Sequence, residues 1–178
     1  MHAFIESVGA YVPERVMTNA ELSLKVNTTD EWIFDHTGIS ERRIAADSEK
    51  ASDLATIAAE RALERSGKSA DSIDLILLAT STPDYAGFPS TSCIVQENIG
   101  ASQAGAMELF AACTGFIYGI DTARAFIESG SANRVLVIGT EVFSRIVDWT
   151  DRGTCVLFGD GAGAALISAK ESKESRIE

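Results

Sequence analysis

Histidine, proline and cysteine are all scarce in this 178-residue chain, at two, three and three residues. Cys93, Cys113 and Cys155 are odd in number, widely spread and without a C-x-x-C pair, so neither a disulfide framework nor a zinc site is expected. His2 and His36 offer no metal-ligand spacing, and no bound metal is expected. Apolar runs are short and cut by polar residues, so none spans a bilayer. The first ten residues lack a basic segment followed by a long apolar stretch. No secretory signal and no membrane association are therefore expected, and the expected compartment is cytoplasmic. Positive charge is also in deficit, with 15 Lys and Arg against 26 Asp and Glu for a net charge of −11. That balance excludes nucleic acid and anionic membrane as main partners and fits a solubilising surface. A basic docking patch for an acidic protein would have to lie elsewhere.

What is present suffices for one buried core, since 46% of residues are hydrophobic. Strand-like and helix-like segments alternate. Residues 3–12 read as a strand, and Asn19 is a plausible cap for a short helix. Thr28, Thr29 and Asp30 can cap a second helix that Thr37-Gly38 would end. The Arg42-Arg43 pair reads as a solvated loop. Residues 52–66 carry Leu54, Ile57, Ala58, Ala62 and Leu63 at helix spacing, with Gly67 closing the helix. Residues 73–81 (IDLILLATS) are nearly continuous in apolar residues, as in a strand covered on both faces. A loop with Pro83, Gly87 and Pro89 follows, then a helix over 90–99 on which Cys93 reads as packing. Residues 134–140 read as another parallel strand and 141–152 as a polar loop or broken helix. The alternation predicts a layered α/β/α domain with a mostly parallel mixed central sheet over residues 1–169. Residues 170–178 (KESKESRIE) read as a polar linker or fraying terminus. No internal repeat is visible.

Residues 106–121 (AMELFAACTGFIYGID) organise the rest. An apolar strand leads through two alanines to Cys113, and a helical pattern then runs through Phe116, Ile117, Ile120, Ala123 and Ile127. Cys113 thus falls on a strand-to-helix junction, beside backbone N–H groups without intrahelical partners. Those donors and the helix dipole would stabilise a thiolate. Cysteines in apolar surroundings are more often small buried hydrophobes, so the spacing leaves both readings open. Trp32 is open in the same way, either a core residue or a flat face for a ring. Taken alone, Arg152 reads as a surface ion pair and Phe88 as an ordinary loop aromatic. The glycines of residues 158–165 (FGDGAGAA) lack the Lys-Ser/Thr of a phosphate loop and lead into a strand. A tight turn and close backbone packing near Cys113 are the expectation there.

The runs DEWIFDHTGI, FAACTGFIYG, DRGT and FGDGAGA, with SVGAYVPE and TNAEL ahead of them, together resemble β-ketoacyl-[acyl-carrier-protein] synthase III, a thiolase-like condensing enzyme. The resemblance covers nearly the whole chain. It implies that Cys113 is the nucleophile, that Trp32 and Arg152 sandwich the adenine of coenzyme A, and that Thr28 hydrogen-bonds the base. His36 stands where the family often has arginine, implying a weaker phosphate contact. Phe88 is implied to cross a homodimer interface into the partner's acyl pocket, and Phe158 to border the acyl channel. Acyl-CoA and malonyl-acyl carrier protein are the implied partners, with acyl-CoA as substrate and no permanently bound cofactor. Family members run to about twice this length, so a C-terminal half is the further implied partner. The histidine and asparagine of the family's triad lie in that half, and neither His2 nor His36 fits the role. Other acyl-cysteine enzymes (3-hydroxy-3-methylglutaryl-CoA-synthase-like or polyketide starter synthases) remain alternatives. So does a non-catalytic half-domain scaffold burying the Gly115/Gly119 helix surface against a partner.

Overall fold

Strand and helix alternate from residue 41 onward in the computed structural model, which describes residues 1–171 and 177. In chain order the elements are β1 (His2–Tyr11), β2 (Arg15–Thr18), α1 (Asn19–Leu22), α2 (Asp30–Thr37), β3 (Glu41–Ile44) and α3 (Ala51–Ser66). They continue with β4 (Leu75–Ala79), α4 (Thr91–Asn98), β5 (Gly105–Leu109), α5 (Gly115–Glu128), β6 (Arg134–Val142), α6 (Arg152–Cys155) and β7 (Asp160–Lys170).

The main sheet has the order β1-β7-β6-β4-β5. Strands β5, β4 and β6 run parallel, whereas β7 is antiparallel to both β6 and β1. Four of the five strands therefore share one direction, and the sheet is mixed and mostly parallel. Side-chain alternation along the strands separates two cores. Ile76, Leu78, Leu136, Ile138 and Leu166 pack under the alanine stripe of α3 and Val95 of α4. Leu75, Leu77, Val135, Val137 and Ile167 face Ala123 and Ile127 of α5 on the other side. Every residue of β4 is buried, as its unbroken apolar run requires. The result is the expected α/β/α layering. No helix is long and apolar enough to cross a membrane among the described residues.

In a smaller unit the antiparallel β2–β3 pair, α1, α2 and α6 enclose Met17, Leu22, Ile33, Ile44, Cys155 and Val156.

Several local expectations need correction. Thr18, not Asn19, caps α1, because its hydroxyl accepts from the Glu21 N–H at 3.2 Å while Asn19 is buried inside the first turn. Arg42 and Arg43 belong to β3, and Arg42 is buried rather than solvated. Cys93 is exposed, not packed, because the buried positions of α4 are Thr91, Ser92 and Val95. β6 continues through Val142, and a single 3₁₀ turn at Phe143–Arg145 follows before α6. Gly161 and Gly163 form no turn, since β7 starts at Asp160 and runs straight through them. Asp160 holds that start in place, accepting from the Ala45 N–H at 2.6 Å and from the Ser144 N–H and hydroxyl at 2.8 and 2.6 Å. Of the expected linker, Lys170 closes β7 and Ile177 donates its N–H to the Ala3 carbonyl at 2.8 Å. Residues 172–176 and 178 lie outside the described residues.

Candidate active site

Cys113 lies where the sequence pattern puts it, on a single 3₁₀ turn at Ala112–Thr114 between β5 and α5. The Gly115 N–H, at the end of that turn, bonds back to the Ala112 carbonyl, and the 14-residue α5 begins there. Ala112, just before the cysteine, holds φ at 45°, a conformation that costs a residue with a Cβ about 1–2 kcal/mol. That kink turns the chain from the strand into the helix and leaves the Cys113 thiol exposed. The sulfur opens on a cavity of about 370 Å³. Ala112, Phe116, Phe143 and Phe158 line it together with Gly139 and Glu141 of β6 and Gly161 and Gly163 of β7. Phe143 and Phe158 stack with centroids 4.8 Å apart. The chamber is thus largely apolar, with one carboxylate.

That carboxylate belongs to Glu141 and is already engaged. It accepts from the Ser81 N–H at 2.7 Å and from the Thr82 hydroxyl at 2.8 Å. Thr82 in turn accepts from the Val142 N–H at 2.8 Å. The ends of β4 and β6 are therefore laced together beside the cavity. Phe116 follows Cys113 by three residues, but Glu141 and Phe143 carry no sequence signal of their own, because only the fold brings them to Cys113. Neither His2 nor His36 lines this cavity. His2 approaches Glu128 at 3.9 Å, and His36 lies on α2.

Gly115 and Gly119 face inward, which overturns the expectation that they present a surface to a partner. A Cβ on Gly115 would lie 2.8 Å from the Ala79 Cβ, and one on Gly119 2.7 Å from a Val137 methyl. The exposed side of α5 carries Ile117 and Tyr118 instead.

A second constellation lies on the smaller unit. The Arg152 guanidinium sits over the Trp32 ring at 4.5 Å, so the two residues meet although 120 positions separate them in sequence. The His36 ring stacks on Trp32 at 4.3 Å and its Nδ1 contacts the Trp32 carbonyl at 2.7 Å. Thr29 caps α2 by accepting from the Trp32 N–H, leaving the neighbouring Thr28 hydroxyl buried without a hydrogen-bond partner among the described residues. Asp151 caps α6, accepting from the Thr154 hydroxyl at 2.6 Å and the Gly153 N–H at 2.9 Å. Those two bonds hold its carboxyl below the ordinary carboxylate range. Burial, reinforced by the Asp151 charge, pushes the Cys155 thiol up. Phe88 stands apart from both groups, 98% exposed on the loop after β4. Among the described residues no cluster of three or more His, Cys, Asp or Glu could hold a metal ion.

Residues 107–178 match the family model for 3-oxoacyl-[acyl-carrier-protein (ACP)] synthase III, a span that includes Cys113, Arg152 and Phe158. A curated relative from Sulfurovum sp. (strain NBC37-1), named β-ketoacyl-[acyl-carrier-protein] synthase III, is 53% identical over 174 residues, 98% of this chain and 51% of its own length. The chain is similar to synthase III enzymes along almost its whole length. It spans about half the length of the curated relatives it matches. Among solved structures, the synthase III of Aquifex aeolicus VF5 superposes with a TM-score of 0.93 at 50% identity, covering 96% of this chain and 55% of that one. A priming β-ketosynthase from the R1128 polyketide pathway superposes at 0.91 with 37% identity, covering 96% and 51%. The fold is accordingly that of the thiolase-like condensing enzymes.

Proposed function

We propose that this chain forms the nucleophile-bearing half of a condensing enzyme that starts fatty-acid synthesis. The observation that carries the reading is an exposed cysteine, set by a strained residue at the head of a helix and opening on an apolar chamber. The Cys113 thiolate attacks the thioester carbonyl of a short acyl-CoA such as acetyl-CoA. The carbonyl electrons move onto oxygen, where the Cys113 N–H helps hold the oxyanion. Collapse expels the coenzyme A thiolate and leaves an acyl-cysteine. Phe158, Phe143 and Phe116 then shield the acyl chain from water. A histidine and an asparagine from a second half bind malonyl-acyl carrier protein and stabilise the carbanion left by loss of carbon dioxide. That carbanion attacks the acyl-cysteine to give β-ketoacyl-acyl carrier protein and free Cys113. Acyl-CoA is a substrate in this scheme, and no resident cofactor takes part.

Trp32, Arg152 and Thr28 form the nucleotide site in this reading. The guanidinium lies directly on the indole, so an adenine inserted between them must lift Arg152 away. The Thr28 hydroxyl, without a hydrogen-bond partner among the described residues, supplies a hydrogen bond to the base. His36 is a secondary contact near the phosphates. Removing the stacking face with Trp32→Ala is expected to weaken coenzyme A binding roughly tenfold, as loss of one aromatic stacking partner does. Equilibrium dialysis with labelled coenzyme A reads this, and unchanged affinity would remove the nucleotide site from Trp32.

Two exposed apolar surfaces support the two protein partners. Ile117 and Tyr118 on the outer side of α5 are 63% and 56% exposed, and a C-terminal half is assigned to cover them. Strand β5 is a sheet edge that leads into Phe110, 69% exposed, and a second copy of the chain is assigned to that edge. Phe88 then reaches from one copy toward the other's acyl chamber. Phe110→Glu is expected to shift a sedimenting dimer to monomer, because a buried unpaired charge opposes pairing. A dimer that survives the change would move the interface elsewhere.

Incubation with radiolabelled acetyl-CoA, with a synthase III second half supplied, tests the main reading. One acetyl group is expected on the Cys113 peptide, and a chain that stays unlabelled is a scaffold. The likeness to a priming ketosynthase keeps a polyketide starter synthase as the second reading, and the carrier protein that accepts the acyl group decides between the two.

A further inference from the structure

A buried cation lies behind the Trp32–Arg152 pair. Arg42, in the middle of β3, is only 6% exposed. Its hydrogen-bond partners are neutral oxygens. Nη2 donates to the Asn19 side-chain oxygen at 2.7 Å and to the Val156 carbonyl at 3.3 Å, and Nη1 donates to the Met17 carbonyl at 3.3 Å. Burial lowers its proton affinity from the ordinary arginine value, but a guanidinium stays charged in a protein. An unneutralised buried charge is costly and serves poorly as a simple core filler.

Its bonds run in two directions. Val156 is the residue that closes α6, the four-residue turn that begins with Arg152. Asn19 passes the connection on, its amide nitrogen donating to the Asp30 carboxylate at 2.8 Å and to the Ile39 carbonyl at 2.7 Å. Asp30 is the first residue of α2, two positions before Trp32. One guanidinium thus joins the end of the Arg152 turn to the start of the Trp32 helix. Room for it is kept at Gly159, where an added Cβ would lie 3.0 Å from the Arg42 Cβ and 3.0 Å from the Arg43 carbonyl oxygen.

We infer that Arg42, through Asn19 and Asp30, is a positioning residue that sets the spacing of the Trp32–Arg152 clamp for the nucleotide of an acyl-CoA. The inference rests on the nucleotide reading above. Planar, forked geometry is what the position needs, since one group must serve three acceptors in different directions. Lysine offers a single nitrogen and cannot span them.

The test compares coenzyme A dissociation constants for the chain, with a second half supplied, and for Trp32→Ala, Arg42→Lys, Asp30→Ala and Asp30→Asn. Asp30 is exposed, so its variants avoid unfolding the buried centre. Asp30→Ala and Arg42→Lys are expected to weaken coenzyme A about tenfold, whereas Asp30→Asn retains an acceptor for Asn19 and stays within about twofold. In turnover the loss is expected in KM for acyl-CoA, with kcat at saturation unchanged, and Asp30→Ala is expected to melt close to wild type. A merely structural Asp30 would lower the melting temperature without touching coenzyme A affinity. Wild-type affinity in Asp30→Ala and Arg42→Lys, with Trp32→Ala impaired, overturns this inference alone. Wild-type affinity in Trp32→Ala overturns the nucleotide reading and this inference together.

Discussion

Replacing Cys113 by serine is expected to lower the rate of acyl-enzyme formation from acetyl-CoA by at least about a thousandfold, leaving the fold intact. A thiol is partly ionised at neutral pH and its sulfur is strongly nucleophilic, whereas a serine hydroxyl needs an adjacent base. The Cys113 cavity offers one titratable neighbour, Glu141, whose oxygens are taken by Ser81 and Thr82. No free base among the described residues lining that cavity therefore rescues the hydroxyl. Cys93 provides the control. It is exposed in the first turn of α4, with its N–H hydrogen-bonded to Ser90, and it does not line the Cys113 cavity. Cys93→Ser is expected to acylate like wild type. Cys155 is buried and its thiol is pushed up, so it should resist alkylation. Mass mapping after brief exposure to acetyl-CoA reads all three sites at once. Label on Cys93 in equal amount, or label surviving in Cys113→Ser, would show that helix placement and the chamber do not select the nucleophile.

Periodicity made most of the layered architecture legible, and the reason is visible in β4 and α3. Leu75–Ala79 is apolar at every position because both faces are covered, and the Ala and Leu positions of α3 recur at helix spacing because one face is covered. The junction at Cys113 was legible because a strand pattern gives way to a helix pattern across the short stretch 110–114. Local chemistry was less informative where tertiary contacts decide. Arg42 reads as a surface charge from its neighbours, and only Asn19 and Val156, 23 and 114 positions away, make it an interior residue. Gly161 and Gly163 suggest a turn by composition. They lie instead in a strand whose pairing with β6 runs past both to Asp160, while its pairing with β1 reaches Ala162. Lateral pairing overrides a glycine's weak local preference. The chamber lining beside Cys113 escaped for a different reason: Ala79, Glu141 and Gly163 come from β4, β6 and β7, and no spacing rule links them.

The largest effect on stability is expected at a glycine far from any chemistry. Gly9 lies in β1 against the backbone of α3, where a Cβ would stand 2.2 Å from the Ala58 carbonyl oxygen and 2.5 Å from the Ala62 nitrogen. No rotamer change relieves a clash with main-chain atoms, so Gly9→Ala must push the whole helix outward. The displacement would stretch the bond from the Ser7 hydroxyl to the Ala62 carbonyl, now 2.7 Å. It would also open the interface where Ala55, Ala58, Ala59 and Ala62 are fully buried against the sheet. Overpacking that cannot be absorbed by side chains costs about 3 kcal/mol or more. Against a typical domain stability of about 5–15 kcal/mol, that is enough to depress the melting temperature strongly. Gly163→Ala is the matched comparison, a glycine on β7 with nothing within 4 Å of its added Cβ. It should melt near wild type, or slightly above, since alanine reduces the freedom of the unfolded chain. Its methyl projects toward the Cys113 chamber that Gly163 lines, so its cost should appear as poorer acceptance of longer acyl chains. Thermal denaturation followed by circular dichroism separates the pair, and equal melting temperatures would mean that α3 does not rest on β1 as closely as these distances require.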